Sequence, residues 1–150
     1  MGIEKDINQS KFRNDYQKAG INLIYTFNWM TEKMKILFEK FGLTSQQFNI
    51  LRILRGAGQP LSTLQIRQRM LDKMSDTSRI VDRLILKGLV KKVICKTDKR
   101  LVDVSITEKG KKLLAKMDEH EYEMDAVFNN LSESEAKTIN KLLDKIRQPK

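Results

Sequence analysis

Residues 76–110 read DTSRIVDRLILKGLVKKVICKTDKRLVDVSITEKG, and the order of patterns within them decides the fold. At 100° per residue, Thr77, Ile80, Val81, Leu84 and Ile85 share one helical face, which must pack inward. Ser75, Arg79, Asp82 and Arg83 lie opposite, with Asp76 and Ser78 at the margins. Ser75 or Asp76 can start this helix, Lys87 ends it and Gly88 stops it. Leu89, Val90 and Val93 then suit a strand. Residues 94–101 form a polar tip, and 102–106 alternate Val-Asp-Val-Ser-Ile as a returning strand. Thr107 caps another helix.

The patterns on either side complete the frame. Upstream, Ser62 caps a short helix to about Leu71, with Leu64, Ile66 and Met70 read as inward. Two short helices joined by a polar turn make a helix-turn-helix, and the hairpin after it makes a wing. Before these, Thr44 caps a helix carrying Phe48, Leu51 and Leu54, which ends in the breaker cluster GAGQP at 56–60. Apolar residues from Phe12 to Phe41 recur at helical spacing and predict one long first helix, stopped by Gly42. Downstream, Leu113, Leu114, Met117, Met124, Val127 and Phe128 predict one long helix from Thr107. Ser132 with Glu135 is a capping box opening a last helix with Ile139, Leu142, Leu143 and Ile146. The fold class is therefore mainly α with a small β-hairpin wing. A winged helix-turn-helix lobe at about 43–106 stands between terminal helices at about 10–41 and 107–147, in one domain of 150 residues. So small a lobe cannot cover both long amphipathic stripes, which points to a homodimer through the terminal helices.

Composition narrows the function. With 40% hydrophobic residues the chain is too apolar for disorder, yet it lacks the 18-residue apolar run of a membrane span. Its start, MGIEKDINQSKFRND, has no apolar signal core, and a single cysteine, Cys95, suits a reducing cytoplasm. The formal charge is +10 and unevenly spread. Residues 62–112 hold 14 Lys/Arg against 6 Asp/Glu, whereas residues 113–150 hold 6 against 8. A basic middle beside an acidic flank suggests a polyanion for the middle. No nucleophile–base pair, glycine-rich phosphate loop or metal-ligand spacing occurs, so neither catalysis nor a cofactor or metal is expected.

The chemistry gathers on the outer face of the second helix-turn-helix element and on the tip after it. Arg79, Arg83 and Lys87 run i, i+4, i+8 along one ridge, a repulsive arrangement that a row of phosphates would turn to attraction. Ser75, Asp76 and Ser78 sit at the helix N-terminus, the end a recognition helix points at base edges. Lys96, Lys99 and Arg100 on the tip would reach a phosphate or the minor groove. Asp98 can orient the Arg100 guanidinium in advance. A plain solvated face, with Asp76 and Asp82 balancing the arginines, would show much the same residues. Position favours the functional reading, because a basic hairpin directly follows a basic helix. Leu86 also falls on the outer face without an evident role.

These residues carry a resemblance. DTSRIVDRLILKGLVKK at 76–92, then DKR, then LVDVSITEKG, resembles the MarR family of bacterial winged helix-turn-helix regulators. LTSQQFNILRIL at 43–54 also matches its second helix, and the similarity runs along essentially the whole chain. The resemblance implies a homodimeric, ligand-responsive repressor on a palindromic operator in double-stranded DNA. It carries the DNA-contacting roles to Asp76, Ser78, Arg79, Asp98 and Arg100, with Arg83 on the backbone. Asp76 departs from the neutral polar residue common there, and would reject some bases or pair with the amino group of cytosine. The resemblance also implies a small aromatic or phenolic effector, for which Tyr25, Trp29, Met30, Met34 and Phe38 are the candidate pocket; a methionine and aromatic stripe of this kind is more often core.

Two other readings stand beside this one. The terminal helices could grip a protein partner, leaving only non-specific DNA affinity. Cys95, near Lys91, Lys92 and Lys96, could be a thiol sensor if those charges lower its pKa. His120 with Glu119, Glu121 and Glu123 reads as a solvated face more readily than as a metal site.

Overall fold

The computed structural model describes residues 2–150. The elements in chain order are helices α1 (Ile3–Asp6), α2 (Asp15–Glu39) and α3 (Ser45–Ala57), strand β1 (Leu61–Ser62), and helices α4 (Thr63–Arg69) and α5 (Thr77–Leu86). Strands β2 (Val90–Ile94) and β3 (Val102–Ile106) follow, then helices α6 (Glu108–Asp118), α7 (Glu121–Asp125) and α8 (Glu133–Ile146). A single 3₁₀ turn, Ala126–Phe128, joins the last two. The three strands pair antiparallel in the order β1-β3-β2.

Local capping chemistry sets most of the boundaries. Thr44, Ser62 and Ser132 each accept from the backbone N–H three residues on, and Gln47, Gln65 and Glu135 return the bond, giving three complete capping boxes. Gly88 takes φ +71°, the left-handed conformation that ends α5 and turns the chain into β2. At the far end of the hairpin, the Thr107 N–H and hydroxyl donate to the carbonyls of Leu89 and Gly88. This clamp brings α6 so close to β2 that a Cβ on Gly110 would lie 2.4 Å from the Leu89 carbonyl oxygen. The TEKG sequence is therefore a packing requirement as well as a helix start.

One core holds the lobe together. Ile50, Leu51 and Leu54 of α3 meet Ile66 of α4, Val81 and Leu84 of α5, Val90 and Val104 of the hairpin, and Leu114 and Met117 of α6, all buried. Phe38 near the end of α2 stacks on Phe48 at 4.7 Å between ring centroids, tying the long helix to the lobe. Arg55 of α3 makes a two-pronged bond to Asp118 of α6, at 2.7 and 3.0 Å.

Several expectations need correction. The first helix starts at Asp15 because Asn14 caps it by accepting from the Gln17 N–H, so Phe12 lies outside it. The short α1, with Ile3 buried, was not anticipated, nor was β1, which pairs Leu61 with Val104. The helix from Thr107 is not continuous: it breaks at Glu119 and His120, where His120 pairs with Glu123 at 2.8 Å. Leu64 is not inward but 63% exposed, since Ile66 and Met70 already fill the space under α4.

Among the large apolar side chains that remain exposed, which also include Leu86 and the wing residues Ile94, Leu101 and Val102, two groups stand out. Leu23, Ile24, Phe27 and Trp29 stand on α2, and Leu142 and Ile146 on α8, forming the unpartnered terminal-helix stripes. Leu64, Leu71 and Met74 stand around the helix-turn-helix. No helix of the described residues is long and apolar enough to cross a membrane.

Candidate nucleic-acid interface

Helix α5 seats its inner face as the periodicity requires: Thr77, Val81 and Leu84 are buried, and Ile80 and Ile85 partly so. Its outer face carries Ser78, Arg79, Asp82 and Arg83, all exposed. Asp76 is the N-cap, its Oδ1 accepting from the Arg79 N–H at 3.2 Å. This gives the unusual acid a local task and keeps the Arg79 backbone fixed. Ser75 is half-buried, and its hydroxyl donates to the Asp72 carbonyl at 2.7 Å, so it shapes the turn before the helix.

Arg79 and Arg83 have no acidic partner within 4 Å among the described residues. Asp82 does not balance them; it lies 3.6 Å from Lys92 on β2, linking the helix to the wing. The third member of the ridge, Lys87, is engaged within the fold. Its ammonium turns back to the Gly42 carbonyl and to Gln47 Oε1, at 2.5 and 2.9 Å, joining the end of α5 to the loop after α2. Leu86 remains 87% exposed, and nothing in the structure explains it.

The wing turn is closed by Leu101 N–H to Asp98 C=O and Cys95 N–H to Leu101 C=O. Asp98 accepts three bonds from Arg100: its backbone N–H at 3.0 Å, Nε at 3.1 Å and Nη2 at 3.1 Å. The bond from the guanidinium holds the Asp98 carboxyl below the usual carboxylate range, so it is charged at neutral pH. The Arg100 side chain is nevertheless 90% exposed. A fixed, solvent-facing guanidinium on a turn is prepared for a phosphate or a minor groove. Lys96 and Lys99 are exposed on the same turn without ion pairs among the described residues.

The Cys95 thiol is lowered from its ordinary value, chiefly by its hydrogen bond with Thr97, at 3.1 Å, rather than by the nearby lysines. The suggested pocket residues are divided. Trp29 and Met34 line a hollow of about 340 Å³ with Lys33, Leu37, Ala126 and Val127. Phe38 belongs to the core instead, and Tyr25 and Met30 do not line this hollow. No group of three or more metal-capable side chains gathers among the described residues.

Sequence reasoning missed the hollow of about 470 Å³ at the start of α5, walled by Leu64, Arg67 and Met74 against Asp76, Thr77 and Ser78. The signal was present in the apolar letters of LDKMSD, an odd content for a solvated turn.

Comparison with known proteins agrees with this geometry. A family model described as MarR family matches residues 41–101. The HTH-type transcriptional regulator MhqR of Bacillus subtilis is 30% identical over 131 residues, covering 86% of this chain and 89% of the relative. Among solved structures, a cysteine-to-serine mutant of MarR from E. coli complexed with operator DNA superposes with a TM-score of 0.81 at 21% identity, over 93% of this chain and all of the other. The organohalide-sensing regulator RdhR in its 2,4-dichlorophenol-bound form also gives 0.81, at 18% identity, over 93% and 85%. With the wing, the recognition helix and the terminal helices in their places, the chain belongs to the MarR family of winged helix-turn-helix transcriptional regulators.

Proposed function

We propose that the protein is a homodimeric repressor that holds an operator of two inverted half-sites and lets it go when a small aromatic or phenolic effector binds. The observation that carries this is the pairing of two prepared cationic elements. Helix α5 presents Arg79 and Arg83 without acidic partners, and the wing beside it presents Arg100 already oriented by Asp98. Arg79 and Ser78 read base edges in the major groove, Asp76 positions them, and Arg83, Lys96, Lys99 and Arg100 meet the backbone or minor groove. The protein acts by binding rather than catalysis, in the cytoplasm beside its DNA.

The exposed stripes of α2 and α8 support dimerisation, because each leaves side chains such as Phe27 and Leu142 in water that a second copy would cover. Support for an effector comes from the hollow beside Trp29 and Met34, between α2 and the segment of α7 and the 3₁₀ turn, and from the fold neighbour with a bound chlorophenol. Effector binding would favour a spacing of the two recognition helices that no longer matches half-sites one turn apart.

Selection of genomic fragments by purified protein at physiological salt tests the operator. Enrichment of one inverted repeat is the expected result, and retention of fragments without sequence preference would refute it. Linkage tests the release: an inducer must bind free dimer more tightly than DNA-bound dimer. Equal affinities would rule this mechanism out.

A further inference from the structure

We infer that the hollow at the start of α5 is a subsite for an A·T base pair, in which Leu64 and Met74 enclose the 5-methyl group of thymine. The inference deepens the operator reading above and rests on it.

The side chains of Leu64, Leu71 and Met74 are 63%, 89% and 93% exposed, at the end of α5 that a recognition helix directs into the major groove. Apolar groups so placed gain nothing from phosphates. Along the major-groove edge, the one apolar substituent that a base offers is the thymine methyl. Leu64 and Met74 wall the same hollow of about 470 Å³ as Asp76, Thr77 and Ser78. An unbranched methionine can close over a methyl from several directions, which suits a site that must first admit its base.

The polar atoms of the hollow complete the match. Thr77 is 3% exposed, and its hydroxyl is the buried side-chain oxygen left without a hydrogen-bond partner among the described residues. Sealed on the inner face of α5, that hydroxyl meets no base, and the polar contact falls to Asp76 on the rim. Asp76 uses Oδ1 for the cap, leaving Oδ2 to accept. Across the pair from thymine, adenine offers its N6 amino group. A G·C pair shares only part of this: cytosine has the amino donor but no methyl, and guanine's O6 and N7 acceptors face a carboxylate that repels them. Arg67, also on the rim, is available to the adjoining phosphate.

The test is a methyl deletion in the DNA. In the selected operator, each thymine is replaced in turn by deoxyuridine, symmetrically in both half-sites, and binding of the full-length protein is followed by fluorescence anisotropy. One position should weaken by about fourfold per half-site, as expected for one methyl taken back into water. Met74→Ala and Leu64→Ala, both at exposed positions and so expected to keep the melting temperature, should bind the thymine and uracil forms equally. Finding no thymine whose methyl matters overturns the inference while leaving the regulator intact. Discrimination that survives both variants overturns it too, placing the methyl elsewhere. If no operator is selected, the regulator reading falls and the subsite with it.

Discussion

Among single residues, Arg100 and Arg79 are expected to fail differently. Arg100→Ala should weaken binding to all sequences and lower the magnitude of the salt dependence by about one unit of slope, the mark of one lost phosphate contact. Arg79→Ala should instead cost about 1–3 kcal/mol at particular base pairs, measured by competition with singly substituted operators. Asp98→Asn keeps the guanidinium but removes the charge that fixes it, so affinity should fall with the salt slope unchanged. Much of this was legible in the sequence: the Asp-x-Arg spacing announced the bond between Asp98 and Arg100, and the helical wheel announced the exposed face of α5. Two roles were not legible. Charge alone placed Lys87 among the phosphate contacts, but its long stem lets it satisfy the Gly42 carbonyl 45 positions upstream. Ser75 or Asp76 could equally have capped α5, and only backbone geometry shows that Asp76 does so, accepting from the Arg79 N–H.

The elements were most readable where a cap and a stripe agreed. Helices α3, α5 and α8 each begin within a residue or two of the side chain that caps them. The break at Glu119 and His120 after α6 escaped because Met124 and Val127 continue the apolar pattern across it, and periodicity does not register so short an interruption. The two-residue β1 escaped because so short a strand has no period to detect. Two predictions belong to the joints between elements. Gly110→Ala must push α6 away from the Leu89 carbonyl, destabilising the fold by about 1–3 kcal/mol, which calorimetry would register as a lower melting temperature. Between α3 and α6, the bond from Arg55 holds the Asp118 carboxyl below its ordinary range. A carboxylate so depressed stabilises the native state above its unfolded pKa, and loses that contribution as pH falls through the folded value. Asp118→Asn should therefore be less stable than the parent at pH 7, by up to about 1 kcal/mol for a partly exposed pair. The two should converge once the pH is below that folded value; a difference that persists there would place the effect outside the ion pair.

For the whole molecule, the sequence showed that the terminal helices had more apolar surface than one lobe could cover, and the structure leaves Leu23, Phe27, Leu142 and Ile146 uncovered. Leu142→Lys should give a monomer by sedimentation, and the parent's melting temperature should rise with protein concentration. A concentration-independent melting temperature and a monomeric parent would remove the two-half-site model. If the prepared cations on α5 and the wing read a sequence rather than merely attract a polyanion, affinity must depend on that sequence. The ratio of affinities for the selected operator and for scrambled DNA of equal length, measured at physiological salt, decides this. A ratio of about 10³ or more is expected. A ratio near one would contradict it, reducing the basic middle of the chain to a non-specific electrostatic surface.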